Sequence, residues 1–266
     1  MKNRIILCSV FALLFAPVVS QARWGLDLSA ANWEMDAEDH TTNVNTLTRA
    51  WAASGYALSS KVDPVTYGLE AKVFMEGNAP FRLGISVGVG LMPEVVSNFH
   101  ARQGLSYNDL YLENRTNYIP VELYAKYASK GGKFSIFAGG GANYLMASTE
   151  YKVESTGNYW EKGTFEQSKT IPHARAGCEF FLAKWLALNV GVKYVFSGVL
   201  DNLTGKMSAS SGGGPGEYRM IMFRNPTYGE YMDARLTSAG LAAGERPFQY
   251  DYSGLRLNAG LRVYFK

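Results

Sequence analysis

The sequence predicts an all-β fold, an eight-stranded antiparallel transmembrane β-barrel of up-and-down topology. Three observations predict it. Eight segments alternate apolar and polar residues at period two, the signature of a strand with two unlike faces. The connections between those segments alternate long and short. Charges fall on one face of each segment and never on the other.

The first strand covers residues 24–31, with Trp24, Leu26, Leu28 and Ala30 opposite Gly25, Asp27, Ser29 and Ala31. A polar stretch rich in Asp, Asn and Thr follows, and residues 46–60 receive no assignment. The second strand, 67–73, sets Tyr67, Leu69, Ala71 and Val73 against Gly68, Glu70 and Lys72. After a turn at 77–80, the third strand places Phe81, Leu83, Ile85, Val87, Val89 and Leu91 opposite Arg82, Gly84, Ser86, Gly88 and Gly90.

Residues 93–117 read as polar and irregular. The fourth strand, 119–127, opposes Ile119, Val121, Leu123, Ala125 and Tyr127 to Pro120, Glu122, Tyr124 and Lys126. A Gly-Gly turn at 129–133 leads to the fifth, 134–144, which carries Phe134, Ile136, Ala138 and Tyr144 on its apolar face. A long polar connection precedes the sixth, 172–180, whose polar face holds His173, Arg175 and Glu179. The seventh, 186–196, pairs Leu186, Leu188, Val190, Val192, Tyr194 and Phe196 with a face containing Asn189 and Lys193. A Gly-rich excursion over 198–247, whose apolar-centred run 217–224 reads as a hairpin above the membrane, a ligand-contacting surface or a ninth and tenth strand, separates it from the closing strand, 255–265. There Leu255, Leu257, Ala259, Leu261, Val263 and Phe265 alternate with Arg256, Asn258, Gly260, Arg262 and Tyr264. That length lies within the about 9–11 residues a tilted bilayer-crossing strand needs.

The chain opens with Met-Lys-Asn-Arg, a largely apolar run over 5–19, and small residues at Ser20 and Ala22. This is the pattern of a secretory signal peptide, 1–22, too short for a spanning helix. The domain organisation expected is therefore leader 1–22 and one barrel domain, 23–266. Lys2 and Arg4 leave with the leader, so the exported chain is nearly neutral and gives no nucleic-acid signal. Cys8 leaves too, and Cys178 alone cannot form an intrachain disulfide.

The polar faces carry Asp27, Glu70, Lys72, Arg82, Glu122, Lys126, Arg175, Glu179, Lys193, Arg256 and Arg262. Inside a closed sheet these groups form a charge network, because an unpaired buried charge is costly. A soluble lipocalin-like barrel would alternate equally, with its charges outside. The Gly-rich charged face, the loop asymmetry and the terminal aromatic favour the bilayer arrangement, in which an outward Arg or Lys costs about 2–4 kcal/mol near the midplane. Trp24, Phe81, Tyr127, Phe134, Phe180 and Phe265 all fall on the apolar face at the short-turn end, where an aromatic girdle belongs.

These strands, the terminal aromatic and the long–short rhythm resemble the small eight-stranded bacterial outer-membrane barrels, the family of the OmpA transmembrane domain, OmpX and OmpW. The resemblance implies short periplasmic turns, long extracellular loops, residence in the outer membrane among its lipids, and insertion by the barrel-assembly machinery. It also implies a structural or surface-binding role toward an extracellular ligand or partner that the residues do not name. One departure is Lys266, which follows the aromatic that usually ends the chain.

No catalytic, cofactor or metal site emerges. A lipid A deacylase of this barrel type would present a His and a Ser two residues later on one strand, but the residues two beyond His40, His100 and His173 are Thr42, Arg102 and Arg175. His40 and His100 are expected in loops. Asp36, Glu38, Asp39 and His40 form an acidic cluster read as a solvated loop, with cation binding as the alternative. The glycine triplets at 139–141 and 212–214 lack the Gly-Lys-Ser/Thr of a phosphate loop. The interior is read as occluded by ion pairs, with a narrow, anion-tolerant passage as the alternative. A further alternative is a lateral opening for small or hydrophobic solutes where Pro120 and Pro172 interrupt the ladder.

Overall fold

The structure, a computed structural model, describes residues 22–32, 38–63, 67–78, 80–92, 94–211 and 216–265. The expected leader, apart from Ala22, lies outside the described residues, as do Asp36, Pro93, the glycines 212–214 and Lys266. In chain order the elements are β1 (Arg23–Ala31), α1 (Glu38–Ala53), β2 (Ala57–Asp63), β3 (Gly68–Glu76), β4 (Phe81–Leu91), β5 (Val95–Gln103), β6 (Ser106–Ala128), β7 (Phe134–Ser155) and β8 (Tyr159–Ala183). Then follow β9 (Leu186–Val195), β10 (Val199–Leu200), β11 (Thr204–Ala209), β12 (Tyr218–Asn225), β13 (Gly229–Leu236), β14 (Glu245–Pro247), β15 (Tyr250–Asp251) and β16 (Gly254–Phe265). The fold is all-β and antiparallel, with sixteen strands where the sequence reading counted eight. Among the described residues no helix is long and apolar enough to cross a membrane.

The additional strands lie in the stretches read as loops. β6, β7 and β8 run well past the expected ends of the fourth, fifth and sixth strands, and β5 pairs along the extension of β6 from Val95↔Asn114 to Gln103↔Ser106. The unassigned 46–60 stretch becomes the end of α1 and the start of β2. The excursion over 198–247 contains the β12–β13 hairpin, paired from Tyr218↔Leu236 to Asn225↔Gly229. The β6 extension escaped a search for uncharged faces because its outward side is charged and its inward side mixes Leu110 and Leu112 with Asn114 and Thr116.

Two tiers share β6, β7 and β8. In the lower tier, pairing runs β1–β3–β4–β6–β7–β8–β9–β16 and returns to β1 through Trp24↔Phe265, Asp27↔Arg262 and Ala31↔Asn258. The sheet therefore closes on itself and has no free edge there. The three tight turns and both strand termini, Arg23 and Phe265, mark its lower end.

In the upper tier the order is β13–β12–β11–β8–β7–β6–β5–β2. β13 and β2 do not pair, and α1 packs against β13, β2 and β5, across that seam. Asn43 of α1 accepts a hydrogen bond from the Met232 N–H of β13 at 2.8 Å, satisfying an edge-strand donor. Gly229 admits the helix closely: at φ 111° it needs no Cβ, and one would stand 3.0 Å from Thr46 Oγ1. Inside this tier Phe99, Leu112, Leu145, Phe165, Met220 and Phe248 are buried in one apolar core.

The two tiers have opposite chemistry on the same strands. Along upper β6, Leu110 and Leu112 are buried while Asp109 and Arg115 face out. From Ile119 downward the sense inverts: Ile119, Val121 and Leu123 are exposed, and Glu122 and Lys126 are buried. On β8, Phe165 is buried beside outward Lys162 and Glu166, whereas Arg175 and Glu179 are buried beneath outward Phe180.

Candidate functional site

Every second residue of the lower strands points into the ring, so the alternation brings together charges far apart in sequence. The expected network residues Asp27, Glu70, Lys72, Glu122, Lys126, Arg175, Glu179, Lys193, Arg256 and Arg262 are all buried, and Arg82 is largely so. Glu122 sits at the centre. Its carboxylate lies 3.3 Å from Lys72, 3.1 Å from Arg175, 3.4 Å from Lys193 and 3.2 Å from His173 Nε2, and accepts from Ser86 at 3.2 Å.

From that centre the pairs spread along the lumen. Glu70 takes Lys72 at 2.7 Å, Lys193 at 2.5 Å and the Tyr118 hydroxyl at 2.9 Å. Asp27 pairs with Arg262 at 2.8 Å and lies 3.8 Å from Arg175. Arg262 continues to Glu179, and Glu179 to Lys126 at 2.6 Å. Glu76 then holds Lys126 and Arg82, both at 2.9 Å. Arg256 donates to the carbonyls of Tyr252 and Ser253 at 3.1 and 2.9 Å.

Glu76 was missed by the sequence reading, which ended its strand at Val73. Extending the Gly68–Glu70–Lys72 parity past the apolar Phe74 reaches it. Tyr118, Tyr124 and Tyr264, each buried, also belong to the network: Tyr124 donates to Glu76 at 3.2 Å and Tyr264 to Glu179 at 2.7 Å. The inward glycines make room for these rings. A cavity beside Arg175 and Arg262, lined also by Glu122, Tyr124 and Phe137, measures ≈ 10 Å³, room for about one water. Buried rings and paired charges line this part of the lumen, as expected of so narrow a ring.

The outer face of the lower tier carries Leu69, Val87, Val89, Leu255 and Leu257, each at least half exposed. Of the expected girdle, Trp24, Phe81, Tyr127, Phe180 and Phe265 are exposed and Phe134 is half-buried. They face one another in register as Trp24↔Phe265, Phe81↔Tyr127 and Phe134↔Phe180. Trp185, in the turn after β8, is exposed at this level too, although the sequence reading assigns it to no element.

No family model matches the chain, and no curated protein matches it. Among solved structures, the outer membrane protein OprG from Pseudomonas aeruginosa is similar at 10% identity and TM-score 0.40, over 92% of this chain and 95% of that one. The outer membrane protease OmpT from Escherichia coli is similar at 11% identity and TM-score 0.42, over 92% and 96%. A deltaS2 mutant of the TodX monoaromatic hydrocarbon channel gives 8% identity and TM-score 0.19, over 91% and 89%.

His173 is buried on the inward face, as expected, whereas the other two histidines fall differently from expectation. His40 is not in a loop but in α1, fully buried, and Asp39 beside it is buried with it. The acidic cluster is therefore not a solvated loop at these two positions. Asp39 is engaged by Arg246 at 2.9 Å, and no group able to hold a metal occurs among the described residues. His100 lies on β5 rather than in a loop, 3.0 Å from Asp109 on the outer wall of the upper tier. Hydrogen bonding from Arg102 holds the Asp109 carboxyl below its ordinary value, so this aspartate is already committed. Pro120 does interrupt the ladder: β4–β6 pairing passes from Val87↔Val121 to Gly90↔Tyr118. It resumes in the same register, and β6–β7 pairing through Pro120↔Asn143 is continuous.

Proposed function

We propose that this chain is an integral protein of the bacterial outer membrane, with the lower tier as an eight-stranded transmembrane barrel. Its role is structural or surface-interacting: the upper tier presents a folded surface outside the cell, and the lumen beneath does not conduct. The observation that carries the membrane reading is the inversion of chemistry along β6, β7 and β8. Water outside would favour charge-out, apolar-in over their whole length, as in the upper tier. Below Ile119 only a hydrocarbon surround rewards the reverse. The buried, mutually paired charges support the non-conducting reading.

Membrane fractionation with unboiled and boiled gel migration tests the barrel. A folded chain remaining in the aqueous fraction without detergent would overturn it. Planar-bilayer recording tests the lumen, with no steady unitary current expected.

One observation favours a second reading, a narrow anion-tolerant passage. Arg175, Lys193 and Arg256 stand directly opposite one another across β8, β9 and β16. Such a row sets three cations side by side on one wall of the lumen, the charge that a passing anion would meet. Steady anion-selective current would select this reading.

A further inference from the structure

Three polar residues of the first two turns of α1 are buried, an unusual burial for a helix that lies across a seam. Asp39 accepts two hydrogen bonds from the Arg246 guanidinium, at 2.9 and 2.5 Å, and a third from the Gln249 N–H at 2.7 Å. Asn43 takes the Met232 N–H. Between them His40 uses both ring nitrogens: Nδ1 lies 3.0 Å from Ser97 Oγ on β5, and Nε2 lies 2.8 Å from the Tyr250 hydroxyl on β15. One imidazole thus joins the helix, one side of the upper tier and the last long excursion. The Tyr250 hydroxyl passes the connection inward to Thr149 at 3.2 Å, and Thr149 accepts from Asn114 at 3.0 Å.

The surroundings leave no compensation for a charge on this ring. Phe248 meets it edge-on at a centroid distance of 5.5 Å and Tyr250 lies at 5.3 Å. From β5 the facing group is the neutral Ser97 hydroxyl; from β15 it is the Tyr250 hydroxyl. The neighbouring carboxylate, Asp39 on the helix itself, is spent on Arg246 of β14, which Glu230 of β13 shares at 2.7 Å.

We propose that His40 is an acid-released latch: its protonation detaches α1 from the seam between β2 and β13 and opens the upper tier to the outside medium. The closed form holds a neutral imidazole, and the open form lets it take a proton in water. This inference does not depend on whether the lumen conducts.

Burial pushes the His40 imidazole down to about 3 from its ordinary 6.5. Because the folded value is depressed, the closed form is fully favoured above 6.5 and loses ground as pH falls from 6.5 toward 3. From pH 7.5 to pH 4.5 the open population should rise by about 100-fold.

Hydrogen exchange of the full chain in nanodiscs, corrected for the pH dependence of intrinsic exchange, reads this directly. Amides of 38–53 and 245–252 should open with an onset near pH 6.5, while those of the lower half of β7 stay protected. His40→Gln keeps a donor and an acceptor without a titrating ring and should stay closed at pH 4.5. Acid opening that persists in His40→Gln would show that a group other than His40 drives it and overturn the latch. Should His40→Gln already be open at pH 7.5, the wild-type titration decides: one proton with onset near 6.5 supports the latch, and opening only below about pH 4.5 overturns it.

Discussion

Gly84 lies directly across the sheet from Tyr124, and a Cβ placed on it would stand 2.3 Å from Cζ of that ring. The ring lies over backbone that only glycine leaves open. It has little room to retreat, because its hydroxyl donates to Glu76 and its own Cβ would be met at 2.6 Å by one on Gly139. The same relation joins Gly90 and Tyr118. Gly84→Ala should therefore destabilise the barrel by about 1–3 kcal/mol through overpacking. The same change should cost less in a Tyr124→Ala background, since contacting residues are not additive. Unfolding midpoints of the four proteins in detergent check this, and equal costs in both backgrounds would remove the steric account.

Glu122 is the shared anion of Lys72, Arg175 and Lys193. Replacing one partner of a buried pair leaves the others uncompensated, typically at about 3–5 kcal/mol. Glu122→Gln keeps the shape and should lose stability on that scale. A loss under about 1 kcal/mol in denaturant titration would mean that water, rather than Glu122, balances those cations.

Leu257 and Ser168 both face outward, the first on the lower tier and the second on the upper. Arginine at Leu257 should cost about 2–4 kcal/mol, as at a lipid-facing site. Arginine at Ser168 should fall within about 0.5 kcal/mol of wild type, as on a solvated surface. Yields of heat-modifiable, membrane-inserted protein separate the two, and similar yields would count against the tier boundary.

Asn43 supplies the acceptor for the Met232 N–H at the edge of β13. Asn43→Ala orphans that donor, at a local cost of about 1–3 kcal/mol. Exchange at the Met232 amide should accelerate, while amides of β12 facing β11 change little. Unchanged exchange at Met232 would show that the helix does not guard this edge.

Much of the lower tier was legible because its two faces carry opposite chemistry, apolar outward and charged inward. In Leu255–Phe265 every outward position is apolar and every inward one is polar, aromatic or glycine, so a period-two count separates them. The upper tier resisted the same count. Its strands alternate too, but Leu110 and Leu112 share the inward face with Asn114 and Thr116, and the outward face mixes Tyr111 with Asp109 and Arg115. Glu76 was hidden by the apolar Phe74 on its own face, which packs against Tyr264 at a ring distance of 5.1 Å.

By itself the sequence determined which residues face which way, since parity in a strand is local geometry. It thereby assigned the lumen charges Asp27 through Arg262 to one side of the sheet before any contact was known. Only the tertiary structure decided who meets whom: that Glu122 gathers cations from β3, β8 and β9, and that His40 in α1 reaches Ser97 and Tyr250. Those encounters depend on the order and stagger of strands around a closed ring and on a helix laid across a seam. Both are long-range properties, set by how the whole sheet closes, and no short window of residues encodes them.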